Sequence, residues 1–383
     1  MSRIDDLIQE LCPDGVERRP LGSLGKRNKG TAITASKMKA IGGGGPIRVF
    51  AGGQTVADVA EDAIPATDVV RVPSIIVKSR GHIGFSYYER PFTHKTELWS
   101  YTIDVAGVDQ KFIYYYLLTQ IDNLQALARA TSVKLPQLSV RDTDTLRVPV
   151  PPLEVQREIV RVLDTFTQLE AELEAELEAE LEARRAQYEH YRRELLNSGD
   201  VASSRMIPLG EIFEMRAGTH IKSAEISDEP TEEKPYPCYG GNGLRGYVSS
   251  YNYDESIIFV GRQGALCGNV HRAEGKIYAT EHAIVVTPKV PVNMSWAFHK
   301  LTEMDLNQYK TKSAQPGLAV GRVKQVEAQY VPIVDQRRHG EVLDKLDTLV
   351  SNISIGLPAE LAARRKQYVH YRDRLLTFKE LTE

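Results

Sequence analysis

The chain has 383 residues, a length that favours two domains, and a formal net charge of −3. With 42% hydrophobic and 26% charged residues it has the composition of a soluble globular protein, and the lack of any apolar run of about 18 residues argues against a membrane-spanning helix. Three scattered cysteines argue against a disulfide framework or a zinc site, and the N-terminus has no signal-peptide core, so we expect a cytoplasmic protein.

Globular blocks and helical regions alternate along the chain. Residues 1–15 predict a short helix, and residues 17–150 are rich in short β-like runs separated by glycines. The first block stops at Val148-Pro-Val-Pro-Pro152, and a second block of the same plan occupies residues 205–331. We therefore predict four segments: a β-rich domain with an N-terminal helix (1–150), a central helix (151–200), a second β-rich domain (201–332) and C-terminal helices (333–383).

The most regular stretch lies at mid-chain, from Leu169 to Arg185, where Leu-Glu-Ala-Glu tetrapeptides repeat without glycine, proline or a β-branched residue. These residues are strong helix formers, and the helical pattern extends from about residue 153 to 196, which is roughly 65 Å. Columns of glutamates at i,i+4 spacing repel one another and would also repel phosphate, so this helix should not itself lie on nucleic acid.

The central helix has a second copy 180 residues later. The sixteen-residue segments ending at Leu196 and Leu376 share eleven residues, including Gln-Tyr-x-His-Tyr-Arg. A period of this length is too long for a solenoid and indicates a duplicated domain followed by a helix. The second copy contains Gly356-Leu357-Pro358. Because proline breaks a helix at a cost of about 3 kcal/mol, we expect two helices there, at about 336–354 and 358–379, packed against the first.

The globular blocks repeat as well, although the offset between matching motifs drifts along the chain. The matches are Gly52-Gly53-Gln54 with Gly240-Gly241-Asn242, Arg80 with Arg262, and Thr96-Glu97 with Thr280-Glu281. Loops tolerate such insertions, whereas helix packing does not. The sequence thus predicts an α+β fold in which two β-rich domains are separated by long α-helices, with an internal repeat.

The motifs around the helices carry a family resemblance. They are Val148-Pro-Val-Pro-Pro-Leu-Glu-Val-Gln156, Gln187-Tyr-Glu-His-Tyr-Arg192, Ala363-Arg-Arg-Lys-Gln-Tyr-Val-His-Tyr-Arg372 and the tandem tetrapeptides. Two variable β-rich blocks, each followed by such a helix, resemble the specificity (S) subunit of type I restriction–modification systems, in the branch with tandem repeats in the central helix. The resemblance covers essentially the whole chain.

This resemblance implies a function and an assembly. Each globular block would be a target-recognition domain that reads one half of a bipartite DNA target, and the helices would pair as an antiparallel coiled coil that relates the two halves by a pseudo-two-fold repeat. The helices would set the spacing and dock two methyltransferase (M) subunits, to which restriction/translocase (R) subunits add ATP-driven translocation and cleavage. The S subunit is not a catalyst, so S-adenosylmethionine, ATP and Mg are expected in partner subunits and no cofactor in this chain.

Candidate DNA contacts are polar and basic residues at strand edges and glycine turns. Arginine can bind guanine bidentately, Asn and Gln can bind adenine, and Lys or Thr suit phosphates. In the first block the candidates are Thr31, Gln54, Lys78, Arg80, His82 and Lys95. In the second block they are Thr219, Asn242, Arg245, Arg262, Gln263 and Lys312. Arg80 and Arg262 are favoured because they occupy matching positions beside glycine turns.

The long helices offer a second set of candidates, for packing against each other and against partner subunits. These residues are Leu169, Leu173, Tyr188, Tyr191, Leu349, Ile353, Tyr368 and Tyr371. His190 and His370 lie between the tyrosines, but no carboxylate or cysteine cluster accompanies them at ligand spacing, so we predict no metal site and no catalytic residue there.

Two other functional classes compete with DNA recognition. A non-catalytic scaffold could use the duplicated β-rich modules to bind proteins, and it would show no salt-dependent DNA binding. An enzyme such as a nuclease would need a metal-binding carboxylate cluster, which the sequence does not display. The segment Gly241–Gly246 matches G-x-G-x-x-G, but the residues after it read as strand and turn, so the dinucleotide-binding interpretation fails.

Overall fold

The computed structural model describes residues 3–53, 55–131, 134–197, 204–312 and 316–381. The chain divides into two compact units, Met1–Ala175 with Glu360–Glu383, and Glu176–Ala359. Each unit therefore combines one β-rich block with parts of two long helices. Within the described ranges, no helix is long and apolar enough to cross a membrane.

The first unit begins with a helix and continues with short strands. Its strands are β1 (Arg18–Pro20), β2 (Gly25–Asn28), β3 (Ile47–Phe50), β4 (Val56–Val59), β5 (Ser74–Lys78), β6 (Gly84–Tyr88), β7 (Phe92–His94), β8 (Trp99–Ile103) and β9 (Arg147–Pro149). Its shorter helices are α1 (Arg3–Leu11), α2 (Ala35–Ile41), α3 (Gln110–Thr119), α4 (Ile121–Thr131) and α5 (Val140–Asp144). The first long helix, α6, spans Leu153–Asn197 and agrees with the prediction from the tetrapeptide repeats.

The second unit repeats this order. Its strands are β10 (Arg205–Pro208), β11 (Phe213–Ala217), β12 (Tyr236–Gly240), β13 (Gly243–Val248), β14 (Tyr253–Asp254), β15 (Ile257–Gly261), β16 (Val270–Ala273), β17 (Lys276–Ala279), β18 (Ala283–Pro288) and β19 (Glu327–Tyr330). Its helices are α7 (Leu209–Ile212), α8 (Met294–Glu303), α9 (Val320–Val323) and the second long helix, α10 (Ile333–Leu375).

The two units share one sheet topology. The order β2-β8-β5-β6 in the first unit corresponds to β11-β18-β15-β16 in the second, and β4-β3-β7 corresponds to β13-β12-β17, to which β14 is added. In each of the two sheets named last one pairing is parallel, β3 with β7 and β12 with β17. A further pair closes each block, β1 with β9 and β10 with β19. The duplication predicted from the sequence is therefore a duplication of the fold.

Each block is held to its long helix by an apolar core. In the first unit Ile75 and Phe112 are fully buried in the same cluster as Leu163 of α6. In the second, Ile258 and Trp296 are buried in the same cluster as Leu343 of α10. Burial of each such side chain contributes about 1.5–3 kcal/mol, so the helix segments belong to the stable core of their units.

The two long helices pack antiparallel inside the first unit. An apolar groove of about 360 Å³ places Phe166 beside Tyr371 and Leu173 beside Leu361. At its edge Arg365 lies 2.7 Å from a carboxylate oxygen of Glu170. The two long helices also pack against each other inside the second unit. There a groove of about 300 Å³ is lined by residues 180–188 of α6 and 346–353 of α10.

The expected break of the second helix at Pro358 is wrong, because α10 runs unbroken from Ile333 to Leu375 with this proline inside it. Proline removes one hydrogen bond, to the carbonyl four residues earlier, which is that of Ser354. The neighbouring helix surface is open to water, since Ile355 is 74% exposed and a side chain at Gly356 would meet nothing within 4 Å. Water can solvate the freed carbonyl, so the proline costs too little to end a helix that packs on both sides of it.

Candidate nucleic-acid interface

The first unit carries a cleft of about 280 Å³ where β5 and β7 end. Gly52, Gly53 and Gly81 leave it open, and Lys78 and Arg80 are among the residues that line it. Gly81 has φ +74°, a conformation that favours glycine and fits the turn that follows β5. A Cβ at this position would meet one side-chain atom within 4 Å. The cleft therefore combines exposed backbone with basic side chains.

Charge in this cleft is organised around Glu97. The Nζ atom of Lys95 lies 2.7 Å from Oε1 of Glu97. Partial burial opposes ionisation of this carboxyl, but hydrogen bonding from Lys95 and the charge of Arg80 outweigh it and hold the pKa of Glu97 below its ordinary value. Lys95 and Arg80 thus act on one ionised carboxylate, and Lys78 lines the same cleft. The positive charge that remains suits a phosphate-bearing ligand.

The second unit presents a different polar face at the turn between β17 and β18. His220 Nδ1 lies 2.8 Å from Oε1 of Glu281, and His282 Nδ1 donates to Oε1 of Gln263 at 2.6 Å. Burial opposes ionisation of Glu281, but the His220 hydrogen bond and the nearby histidine charges hold its pKa below its ordinary value. Among the described residues, Glu281 Oε2 and Thr280 Oγ1 are buried without a hydrogen-bond partner. Buried polar atoms normally have one, so two polar atoms beneath this face are unsatisfied.

The backbone under the first cleft is fixed by two hydrogen bonds to the segment that follows α4. The N–H of Gly81 donates to the Pro136 carbonyl at 2.9 Å, and the N–H of Leu138 donates to the Ser79 carbonyl at 2.9 Å. Arg80 lies between these bonds, in a bridge with Gln137.

The second unit repeats these bonds with different residues. The N–H of Gly264 donates to the Pro316 carbonyl at 3.0 Å, and the N–H of Leu318 donates to the Arg262 carbonyl at 2.8 Å. Gln263 lies between them, in a bridge with Gly317. The position that corresponds to Arg80 is therefore Gln263.

The sequence alignment of Arg80 with Arg262 is thus wrong by one residue, and Arg262 corresponds to Ser79. The side chains agree with this register: Ser79 Oγ donates to the Glu97 carbonyl at 2.6 Å, and Arg262 Nη1 donates to the Glu281 carbonyl at 3.2 Å. The sequence alignment paired the two arginines because they are identical. In the fold, the glycine turns Gly81 and Gly264 define which residues correspond. A slip of one residue in an extended segment exchanges its two faces.

The other candidates of the first unit differ in accessibility. Thr31 is only 5% exposed, and its N–H donates to the His94 carbonyl, so it presents little surface to a ligand. His82 is exposed beside the Gly81 turn. Gln54 lies outside the described residues.

In the second unit the remaining candidates are all exposed. Thr219 is exposed and bridges to Thr280. Arg245 is exposed and its Nη2 donates to Ser223 Oγ at 2.9 Å. Asn242 is exposed after β12, and Lys312 is exposed in the loop before Gly317. The fold therefore brings Thr219 and the segments of Asn242 and Arg245 towards the polar face, although they are distant in sequence from Glu281.

The candidates on the long helices fall into two groups. Tyr188 is buried in the second unit, with Oη 3.1 Å from His299 Nδ1, and so packs within its own chain. Tyr368 is half-buried near Phe166, and Leu173 and Ile353 line the helix grooves. Those with more than a third of their surface exposed are Leu169, Tyr191, Leu349 and Tyr371.

Sequence reasoning missed the acidic centre of each face, Glu97 and Glu281, and the histidines His220 and His282. The recurrence of Thr-Glu in both blocks was the available signal for the acidic pair. Nothing in the spacing of the histidines indicates that they meet Glu281. In the described part of the chain, no group of three or more His, Cys, Asp or Glu residues could hold a metal ion.

Comparison with known proteins supplies the family context. A family model described as "Type I restriction modification DNA specificity domain" matches residues 13–183 and 204–363. The chain is 44% identical over 253 residues to the type I restriction enzyme EcoprrI specificity subunit of Escherichia coli, an alignment that covers 64% of this chain and 63% of that relative's length. It is 32% identical over 297 residues to a putative type I restriction enzyme specificity subunit of Haemophilus influenzae, covering 71% of this chain and 73% of the relative.

The fold has a solved counterpart. A chain from a structure titled as the basis of complex assembly and conformational transition of the type I R-M system matches with a TM-score of 0.67. The match covers 95% of this chain and 98% of that chain at 14% sequence identity, so the likeness concerns the fold.

Proposed function

This chain belongs to the type I restriction–modification DNA specificity family, and from that premise we propose that it is the DNA-recognition subunit of such a complex. Each globular unit reads one half of a bipartite target. The long helices set the spacing between the halves and dock the methyltransferase subunits. The chain itself carries no catalytic residue in this proposal.

One observation carries the proposal: the same backbone frame presents two different polar faces. The hairpin turns at Gly81 and Gly264 make identical backbone bonds, yet one face is built from lysines and arginine and the other from histidines, glutamine and arginine. Two copies of a binder with unlike faces are what two non-identical half-sites require. Arginine, glutamine and lysine are the side chains that read base edges and phosphates.

The partners follow from the exposed apolar positions of the long helices. Leu169 and Leu349 are each more than half exposed, and each lines an apolar groove between the long helices of its own unit. Exposed apolar grooves are typical binding sites for other proteins. We assign these faces to two methyltransferase subunits, with restriction/translocase subunits joining in the full complex. S-adenosylmethionine, ATP and Mg then act in those partners. The three cysteines are free and buried, which agrees with a reducing cytoplasmic setting for this assembly.

The test is to express the full chain with its neighbouring methyltransferase subunit in a host without DNA methylation and to map methylated adenines by single-molecule sequencing. We expect a split motif of two short specific halves around a fixed gap of unspecified bases. If both proteins are present and associated yet no new methylation occurs, the proposal fails, and a protein-binding scaffold becomes the better account.

A further inference from the structure

We infer that Arg80 and Gln263 occupy one and the same base-reading position, which specifies guanine in one half-site and adenine in the other. This inference rests on the proposed function and adds to it the residue that reads and the base that is read. It concerns one position in each unit, at the centre of the face described above.

The turn after β5 directs the Arg80 side chain outward. Ser79 is 2% exposed and Gly81 turns the chain, while Arg80 between them is exposed. Alternation along an extended segment places neighbouring side chains on opposite faces, so an inward Ser79 requires an outward Arg80. The backbone on both sides is held by hydrogen bonds to residues 136–138. A side chain on so constrained a backbone can be presented at a defined place.

The same geometry holds in the second unit. Gln263 is exposed, between the half-buried Arg262 and Gly264, whose φ is +93°. Hydrogen bonds to Pro316 and from Leu318 hold its backbone on both sides. The two positions therefore share their frame and their outward direction, and they differ in side-chain chemistry.

The two side chains have the hydrogen-bonding groups that guanine and adenine require. A guanidinium donates two hydrogen bonds to N7 and O6 of guanine, and a carboxamide donates to N7 and accepts from N6 of adenine. Gln263 Oε1 already accepts a hydrogen bond from His282 Nδ1 at 2.6 Å, which orients the amide. A carbonyl oxygen has a second lone pair, so Gln263 can still accept a hydrogen bond from N6 of adenine and donate one to N7. Such preorganisation lowers the entropy that binding must overcome.

Gln263 and its neighbour Arg262 have different roles. The Arg262 guanidinium donates to the Glu281 carbonyl, which is the bond that the Ser79 hydroxyl makes in the first unit. Arg262 thus supports the turn, and the residue after it faces outward. If arginine identity marked the reading position instead, Arg262 would be the determinant of the second half-site.

The experiment exchanges the two side chains in the full chain, as Arg80→Gln and Gln263→Arg, and maps methylated adenines as above. We expect Arg80→Gln to change one base pair of one half-site from G·C towards A·T, and Gln263→Arg to make the reverse change in the other half. A bidentate contact discriminates by about 5- to 150-fold, so the preferred base should change by a factor in this range. Arg90→Gln and Gln325→Arg make the same chemical changes at exposed positions away from the face, and both should keep the original motif.

The outcomes separate the inference from the proposed function. If the wild type yields no methylation, both fail together. A split motif in the wild type that both exchanges leave unchanged would overturn the inference and leave the proposed function standing. A change of motif in Arg262→Ser that Gln263→Arg does not produce would overturn the register.

If an exchanged variant gives no methylation, its base preference is measured by binding instead. The purified complex then selects bound sequences from a randomised DNA pool. Altered preference at a single base pair supports the inference, whereas equal weakening at every base pair contradicts it. A thermal melt of each variant, compared with the wild type, establishes that the chain is folded.

Discussion

The joints between the blocks and the long helices are nearly identical in the two units, whereas the polar faces differ. Gln156 of α6 is fully buried; its Oε1 accepts from the Asp109 N–H at 2.7 Å and its Nε2 donates to the Pro151 carbonyl. In the second unit Gln336 of α10 is equally buried and makes the matching bonds to the Asn293 N–H and the Val331 carbonyl.

The residues that these glutamines hold are themselves equivalent. Asp109 caps α3 by accepting from the N–H groups of Lys111 and Phe112, and Asn293 caps α8 by accepting from the N–H of Trp296. A buried amide with every bond satisfied tolerates little change, while an exposed side chain tolerates much. The hydrogen-bonded backbone and the joints repeat in both units because core packing constrains them. The exposed faces differ because only a ligand constrains them.

The largest effect is expected from breaking a joint. Gln156→Leu or Gln336→Leu leaves buried N–H and carbonyl groups unpaired, and each such group costs about 1–3 kcal/mol, so the loss of unfolding free energy should be at least about 2 kcal/mol. Urea denaturation of the full chain measures it. Gln168→Leu on the same helix is the control: that side chain is exposed and bonds Glu172, and the change should cost less than about 0.5 kcal/mol. Equal effects at both sites would contradict a buried joint.

A smaller effect is expected where a glycine belongs to the frame. A Cβ on Gly30 would lie 2.4 Å from the His94 carbonyl oxygen, and one on Gly218 would lie 2.4 Å from that of Ala279. Gly30→Ala and Gly218→Ala should each destabilise by about 1–3 kcal/mol through overpacking. Gly52→Ala, on the open cleft with nothing within 4 Å of the added Cβ, should be neutral within about 0.5 kcal/mol in the same denaturation measurement. A Gly52→Ala loss as large as that of Gly30→Ala would show that the face is packed and not free to vary.

A third prediction uses a joint position at which a histidine in one unit replaces a tyrosine in the other. His299 is fully buried, with Nε2 2.9 Å from Asp344 and Nδ1 3.1 Å from Tyr188 Oη, while Asp347 and Arg272 lie close by. Tyr115 holds the corresponding place in the first unit, where it donates to Asp164. Burial lowers the pKa of His299 below 6.5, although the charge and hydrogen bond of Asp344 oppose the shift.

The sign of the pH dependence follows from that direction. As the pH falls below about 6.5, the unfolded chain binds a proton at residue 299 before the folded chain does, so stability is full above this pH and is lost below it. His299→Gln keeps a donor for Asp344 but cannot titrate, and it should reduce the loss of unfolding free energy on acidification. His370→Gln, at an exposed site, should leave that loss unchanged. An unaltered pH dependence in His299→Gln would remove this histidine from the account.

The long central helix and the duplication are predictable from the sequence, because both depend on short motifs that repeat along the chain. The tetrapeptides predicted α6, and the recurring Gln-Tyr-x-His-Tyr-Arg motif predicted the duplication. The prediction at Pro358 is wrong because the free-energy cost of a proline in a helix depends on whether water reaches the carbonyl four residues earlier. The sequence does not give that exposure. Residue type selects both Arg80 and Gln263 as candidates, but it does not show that they correspond, because an arginine stands next to Gln263 in the sequence. The Glu281 cluster depends on strand pairing between distant segments.

The central claim is that two readers and a spacer are separate parts of one chain. It is tested most directly by deleting Leu177–Glu180, one tetrapeptide of α6, and mapping the methylated motif with the full chain and its methyltransferase subunit. Four helical residues correspond to about 6 Å, so the account requires a shorter gap between two unchanged half-sites. Glu178→Gln, which keeps the helix length, should leave the motif as it is. Altered bases within either half-site after the deletion would contradict the account.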